Sequence, residues 1–488
     1  MTKNKITIEP ITRLEGHGRI EIFLDEEGDV SRAFFQVPEF RGFEKFAEGR
    51  PAEEMPVITS KICGVCPTAH HMASGKAVDG IFHVEPPPPA KKIRELMYSA
   101  FLVEDHALHF FFLGGPDFIV GSDAPAAERN ILGVIKKVGM EIGKEVINIR
   151  KQCRHIISTL GGKVIHPVSN LPGGVSRGVS REEQKEFIET GKASVRFAEF
   201  SLKIFDDIVL KNGKHLDLVS GDTYRHETYY MGMVDEKNRV NFYDGNIRVI
   251  DPNGKETARF APVDYLGHIA EHVEPWSYMK FAYLKNVGWH GFKDGPQSGV
   301  YRVGPLARLN VAEGMATPKA ESEYERMFEM LGGKPVHNTL AYHWARLIEL
   351  QYAAERLLEL ARDDEILDPN IRSMPTATPS EGVGVVEAPR GTLIHHYLAD
   401  EKGLIKKVNL IVATTNNAAA ICMSVESAAK KLINKGKVSD GILNMVEMAF
   451  RAYDPCLACA THSVPGRMPL MIRICNHMNE TVQVIKRD

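Results

Sequence analysis

Two cysteine pairs of one pattern stand near opposite ends of this 488-residue chain, Cys63-Gly64-Val65-Cys66 and Cys456-Leu457-Ala458-Cys459. A histidine follows each pair, His70 and His462, and only Cys153, Cys422 and Cys475 remain among the seven cysteines. Paired thiols at this spacing hold a metal or carry out redox chemistry. Four thiolates suit zinc, nickel, copper(I) or an iron centre. The wide separation requires the fold to bring both ends to one buried site. A structural zinc needs four thiolates in a closed tetrahedron and nothing else. A dithiol redox site would need a βαβ setting for each pair, and the sequence offers none.

Charged groups accompany the thiols. Thr12-Arg13-Leu14-Glu15-Gly16-His17 and Phe40-Arg41-Gly42-Phe43-Glu44-Lys45-Phe46 precede the first pair, and Arg451-Ala452-Tyr453-Asp454-Pro455 leads into the second. Glu387-Ala388-Pro389-Arg390-Gly391 lies between them. A structural zinc has no use for these groups. The His395-His396 pair reads as a structural feature of a strand, and the three remaining cysteines read as small hydrophobes.

Composition is that of an ordinary globular chain, 43% hydrophobic and 25% charged, with a net charge of −3. That charge gives no electrostatic argument for nucleic acid. No apolar run is long enough to span a bilayer. Met1-Thr2-Lys3-Asn4-Lys5 leads straight into strand-like sequence without the apolar core of a signal peptide. A cytoplasmic chain is expected, where thiols serve as ligands rather than staples.

The elements that must position these residues can be read from periodicity. Ile20, Ile22 and Leu24 alternate with polar residues, Glu27-Gly28-Asp29 turns the chain, and Val30 to Val37 returns as a hairpin. The first cysteine pair falls where a loop enters a helix. Pro86 to Pro89 is a stiff break. Helical spacing follows from Ile93 to Leu113, and again near 127–160 and 182–211. Tyr229 to Phe260, with Asp244-Gly245 and Asn253-Gly254, reads as a small antiparallel meander. Leu340 to Leu358 reads as an amphipathic helix. A hairpin from Gly391 to Val412 turns at Asp400 to Gly403, and two helices then lead to Cys456. The expected class is α+β, helix-dominated, with a central long-helix bundle and peripheral antiparallel sheets. The expected units are residues 1–85, 86–225, 226–336, 337–462 and a C-terminal extension, 463–488.

Together with Ile62-Cys63-Gly64-Val65-Cys66, Val412-Ala413-Thr414-Thr415-Asn416 and Asp454 to His462, these segments closely resemble the large subunit of nickel–iron hydrogenases. The resemblance is to the cytoplasmic branch that includes heterodisulfide-reductase-linked (viologen-reducing) and NAD-reducing enzymes, and it spans essentially the whole chain. Lys61 departs from the arginine usual there; it keeps the charge but loses the planar fork.

The resemblance implies a nickel held by all four cysteines. Cys63 and Cys456 would be terminal, while Cys66 and Cys459 would bridge to an iron carrying carbon monoxide and two cyanides. Dihydrogen would be split heterolytically, with the proton going to the Cys456 thiolate or to Arg390. Arginine almost never deprotonates in proteins, so the thiolate is the expected base and Arg390 its electrostatic positioner. Glu15 would relay the proton outward. His70 would donate to a bridging sulfur, that of Cys459. Arg390 and Thr414 would hydrogen-bond the cyanides, Asp117 and Asp454 would pair with Arg390, and Glu44 and His462 would bind a magnesium or iron(II) ion.

Three scattered cysteines cannot hold a cubane cluster, so an iron–sulfur small subunit is expected as partner. Further electron-transfer subunits would follow, of heterodisulfide reductase or diaphorase type. A maturation chaperone and an endopeptidase cutting after His462 complete the implied partners. The rival expectation is a nickel-free, hydrogenase-like structural subunit of a redox complex. Retention of all four cysteines with Glu15, Arg390 and His462 argues against it.

Overall fold

The run Pro86 to Pro89 both separates two helices and starts the second. The first helix, Pro67–Ile81, opens directly after Cys66. The second, Pro88–Leu108, takes Pro88 and Pro89 into its first turn, where a missing N–H costs nothing. The structure is a computed structural model that describes residues 5–462 and, as backbone only, the antiparallel strands Leu470–Cys475 and Thr481–Arg487. Side chains of the 463–488 extension, Cys475 among them, lie outside the described residues.

The chain is about 48% helical with small sheets, as the sequence predicts. The regions expected to be long helices form Ile131–Val138, Met140–Gly161 and Arg181–Phe205. The first two are divided at Gly139, whose φ of 100° no side-chain-bearing residue adopts readily. The third begins on a capping box, with the Ser180 and Glu183 side chains each bonding the other's backbone N–H.

At the centre runs Tyr342–Arg362, packed against Arg181–Phe205 and Pro88–Leu108. The amphipathic reading of this helix fails: Tyr342 to Ala354 are all buried. Its polar residues pair internally instead. Arg308, on the Pro305–Val311 helix, grips Glu349 through Nε (2.5 Å) and Nη2 (2.6 Å), and Glu387 through Nη1 (2.7 Å). The same guanidinium donates to the Ala388 carbonyl at 2.8 Å, which ties the bundle to the turn carrying Arg390.

The sheets surround this bundle. Arg19–Leu24 and Val30–Gln36 form the expected hairpin, with Lys5–Ile8 added on its edge. The meander Tyr229–Val234, Asn246–Ile250 and Glu256–Phe260 is antiparallel as expected, but a short fourth strand, Tyr301–Arg302, joins it parallel to the first. Gly391–Ala399 and Ile405–Ile411 form the later hairpin, and Glu381–Ala388 pairs outside it. No described helix is long and apolar enough to cross a membrane.

The Glu381–Ala388 strand lies against the Pro67–Ile81 helix so closely that only glycine fits. A Cβ on Gly384 would stand 2.0 Å from the Ala73 carbonyl oxygen, and one on Gly382 2.0 Å from that of Ala77. Gly384→Ala is therefore expected to destabilise the protein by about 3 kcal/mol, since neither backbone can give way. The measurement is the thermal unfolding midpoint of the purified variant. A midpoint equal to wild type would refute the close-packing argument.

Candidate metal centre

The first cysteine pair is shaped by a helix start. Cys66 caps the Pro67–Ile81 helix, and the turn before it aims the N–H groups of Val65 and Cys66 at Cys63 Sγ, both at 3.2 Å. The second pair is shaped by an extended segment followed by a short helix, Leu457–Ala460, which Cys456 caps. Glu15 holds this segment in three ways. Its carbonyl accepts from Leu457 N at 2.9 Å, its carboxylate accepts from Ala458 N at 3.0 Å, and the same oxygen lies 3.0 Å from Cys456 Sγ. Gly16 makes this approach possible: it has φ 91°, and a Cβ there would meet Leu457 Cβ at 2.8 Å. The Thr414 hydroxyl accepts from Cys456 N at 3.1 Å.

The four sulfurs thus converge. Cys63 and Cys456 are 3.2 Å apart, Cys66 and Cys459 3.4 Å, and Cys456 and Cys459 2.9 Å. All four ligand atoms lie within 4.8 Å of one another and are buried. Four thiolates this close cannot all be charged without a cation among them. Contacts with the neighbouring thiols pull the Cys63 thiol well below its usual range, whereas burial pushes Cys456 and Cys459 well above it. Such a donor set calls for a soft cation.

Around the sulfurs stand charged groups. Arg390 occupies the tight turn between Glu381–Ala388 and Gly391–Ala399. Its Nε donates to the Asp454 carbonyl at 2.6 Å, Nη2 pairs with Asp454 Oδ2 at 2.9 Å, and Nη1 with Asp105 Oδ2 at 3.4 Å. Burial opposes the guanidinium charge, but the two aspartates, helped by the thiols of Cys66 and Cys456, outweigh it and hold Arg390 well above its ordinary pKa. Asp105, buried on the Pro88–Leu108 helix, is pushed up to about 7 by loss of solvent. Glu15 is raised chiefly by burial and then by the charge on Cys63.

Asp117 is not a partner of Arg390. Its oxygens are taken by Arg13 Nη2 (2.5 Å), Arg451 Nη1 (2.7 Å) and the Asn444 amide (3.0 Å). It locks the segment before Glu15 onto the Asp440–Arg451 helix, and the second aspartate beside Arg390 is Asp105. His70 Nε2 lies 3.3 Å from Cys459 Sγ. The structural reading of His395 needs amending, because its Nε2 meets His70 Nδ1 at 3.0 Å. His396 faces away, bonded to Tyr265 (2.8 Å) and Glu381 (2.6 Å).

Glu44 and His462 also come together, with Oε1 and Nε2 3.6 Å apart. The Leu410 carbonyl is 2.6 Å from the same His462 nitrogen. Arg41 N and Glu44 N donate to the Thr461 and His462 carbonyls, so Phe40 to Phe46 grips the chain at its second cysteine motif. Cys153 and Cys422 are buried away from the sulfur cluster, and burial pushes both thiols up to about 12.

A buried four-sulfur cluster flanked by a carboxylate, an arginine and two aspartates, on this fold, is the arrangement of the nickel-dependent hydrogenases. The chain belongs to that family, which it matches over residues 41–137 and 144–462, while residues 5–40 match the HoxL-like family. It is of the large, catalytic type, an oxidoreductase acting on dihydrogen.

Among its relatives is a protein of Archaeoglobus profundus described as an iron-sulfur subunit of an F420-non-reducing hydrogenase, 50% identical and covering 99% of both chains. The NAD-reducing hydrogenase HoxS subunit beta of Cupriavidus necator is 39% identical over 96% of this chain and 97% of its own. The crystal structure of an NAD+-reducing [NiFe]-hydrogenase in the H2-reduced state superposes with a TM-score of 0.88. It is 38% identical, covering 94% of this chain and 100% of that one. A Ni-Fe-Se hydrogenase from D. vulgaris Hildenborough, 24% identical with a TM-score of 0.73, covers 94% of this chain and 99% of its own; it shares the fold.

Proposed function

We propose that this chain catalyses reversible, heterolytic cleavage of dihydrogen at a nickel–iron centre and delivers the electrons to an iron–sulfur small subunit. The observation that carries the reading is Glu15 Oε2 at 3.0 Å from Cys456 Sγ inside a four-thiol cluster. A closed structural site has no need of a half-buried carboxylate touching one ligand. Cys63, Cys66, Cys456 and Cys459 would hold the metals, with Cys63 and Cys456 as terminal ligands of nickel and Cys66 and Cys459 shared with iron. When bound, the metal pair with its carbon monoxide and cyanides polarises dihydrogen so that it can lose a proton.

The residues of the chain handle that proton. Cys456 Sγ receives it, and Glu15 Oε2 takes it from there, which suits a carboxyl whose pKa burial raises above its ordinary value. Arg390, held by Asp105 and Asp454, keeps a fixed positive charge at the cluster and with Thr414 would hydrogen-bond the cyanides of a bound centre. His70 donates to the Cys459 sulfur. Glu44, His462 and the Leu410 carbonyl would hold a magnesium or iron(II) ion through oxygen and imidazole donors.

The acceptor beyond the small subunit is of heterodisulfide reductase type, with ferredoxin or NAD(P) as the alternative. Higher identity to F420-non-reducing relatives (50% and 43%) than to the NAD-reducing one (39%) supports that order. A chaperone and an endopeptidase cutting after His462 mature the chain in the cytoplasm.

The test is metal content, infrared spectrum and intact mass of the complex purified anaerobically from its native host. Nickel and iron, bands of metal-bound carbon monoxide and cyanide, and a mass ending at His462 are expected. A mass ending at His462 without nickel or bands would overturn the assignment in favour of a nickel-free structural role.

A further inference from the structure

Two residues in the left-handed backbone region, neither of them glycine, flank the metal centre. Arg13 has φ 59° and Asp454 φ 58°. Each stands two residues before a residue of the site, Glu15 or Cys456, and those two pair as a short parallel bridge. A left-handed backbone is unfavourable for any residue with a Cβ and persists only where the surroundings over-determine it. For Asp454 the surroundings are Arg390, which binds both its carbonyl and its carboxylate. For Arg13 they are a separate network that the cleavage chemistry does not use.

Arg13 Nη2 donates to Asp117 Oδ1 at 2.5 Å and to Asn444 Oδ1 at 2.9 Å, and its Nη1 donates to the Leu113 carbonyl at 3.0 Å. Arg451 Nη1 takes the other Asp117 oxygen at 2.7 Å. Thr12 is fastened alongside. Its hydroxyl donates to Glu447 Oε2 at 2.8 Å, and its carbonyl accepts from Arg451 Nε at 3.3 Å. Asn444, Glu447 and Arg451 recur at spacings of three and four, which puts them on one face of the Asp440–Arg451 helix. Asp117 is 2% exposed and Arg451 1%, so salt screens these pairs little, and the planar guanidinium forks fix their geometry.

Glu15 is therefore held from two sides. The cysteine segment grips it through Leu457 N and Ala458 N, at 2.9 and 3.0 Å. The residues just before it are pinned to the helix and to the segment carrying Leu113 and Asp117. Only Leu14 separates the pinned Arg13 from Glu15, so the backbone at residue 13 sets where the carboxylate can reach. We infer that Arg13 is a positioning residue of the proton route: its ion pair with Asp117, shared with Arg451, holds the strained turn that keeps the Glu15 carboxylate 3.0 Å from Cys456 Sγ. The inference rests on the proton role proposed above for Glu15. Proton transfer needs donor and acceptor at hydrogen-bond distance. A displacement of about 1 Å, made away from the chemistry, can cost about 10²-fold in rate. The Arg13 guanidinium bonds Leu113, Asp117 and Asn444 rather than a sulfur, so its loss acts on the proton and not on the metals.

The test uses the assembled, metal-loaded complex carrying Arg13→Met, Arg13→Lys or Thr12→Val, and Arg13→Met combined with Glu15→Gln. In Arg13→Met the Asp117 carboxylate keeps Arg451 and Asn444, so its charge stays paired and the fold should survive. Its kcat should fall by about 10- to 10²-fold. The KM for dihydrogen, nickel content and infrared bands should stay at wild-type values, because the loss falls on the proton alone. Arg13→Lys keeps the charge without the fork and should recover part of the rate. Thr12→Val breaks the bond to Glu447 and should lower kcat by less; it reports on the same turn where Arg13→Met yields no nickel-loaded protein. In the Glu15→Gln background Arg13→Met should cost little more, since both changes remove one function. A wild-type kcat in nickel-replete Arg13→Met, or an equal fall in both backgrounds, would overturn the inference. So would an unmoved kcat in Thr12→Val where Arg13→Met fails to load nickel. Wild-type turnover in Glu15→Gln itself would instead remove the proton role on which the inference rests.

Discussion

Glu15→Gln is expected to lower dihydrogen turnover by a factor of about 10²–10⁴, the usual contribution of a positioned acid–base group. The amide is nearly isosteric and keeps a carbonyl oxygen for the Ala458 N–H, so the Glu15–Leu457 backbone bond and the convergence of the sulfurs should survive. What it cannot do is accept a proton from Cys456 Sγ, 3.0 Å away. The loss should therefore fall on turnover in both directions, while nickel content and infrared band positions stay close to wild type. Measuring all three separates a missing proton acceptor from a damaged centre. Turnover within a factor of about two of wild type would remove Glu15 from the proton route, and Arg390 would become the next group to test.

Arg308→Met has a comparably large expected effect, on stability and on assembly together. Arg308 is fully buried and pairs with two carboxyl groups that are themselves fully buried, Glu349 and Glu387. Taking away one partner of such a network leaves uncompensated charge and costs about 3–5 kcal/mol, far more than the intact network contributes. The damage would also reach the site, because the same guanidinium holds the Ala388 carbonyl two residues before Arg390. A strongly lowered unfolding midpoint with poor nickel incorporation is expected. Neutralising the acids as well, in Arg308→Met with Glu349→Gln and Glu387→Gln, should recover much of the midpoint, since the three residues act as one unit. A triple variant no more stable than the single one would show that shape, not charge, is what Arg308 provides.

The sulfur ligands are legible from spacing alone, because two CxxC pairs in a cysteine-poor chain leave few other uses. The residues behind them are legible only where a motif carries them. Asp105 sits beside Glu104 in the largely apolar run from Leu102 to Phe112, where neither acid gives a hint of which arginine it will meet. Asp117 is the more visible candidate in the sequence, yet Arg13 and Arg451 flank it on both sides. His395 reads as structural because a strand histidine beside a second histidine has no helical or motif signal. Its role depends on which helix packs on that face, and periodicity within a strand does not reveal a neighbour.

The same limit applies to the fold. Glu381–Ala388 escapes notice as a strand because Gly382 and Gly384 weaken β propensity, and those glycines are required by the approach of the helix carrying His70. Tyr342–Arg362 reads as half-exposed because Arg346 and Glu349 look like solvent-facing charges. Burying them becomes possible only once groups distant in sequence, such as Arg308 for Glu349, are in place.

Cys63 and Cys456 are 393 residues apart in sequence, and their sulfurs are 3.2 Å apart. With metals seated on both pairs, the polypeptide becomes a covalent ring in all but name, closed by metal–sulfur bonds. Closing a loop of that length removes conformational freedom from the unfolded chain worth on the order of 6 kcal/mol in the chain-entropy treatment of cross-links. The loaded protein thereby gains a resistance to unfolding that the empty one does not have. Unfolding it would require a thiolate to let go of metal as well as the loss of side-chain packing.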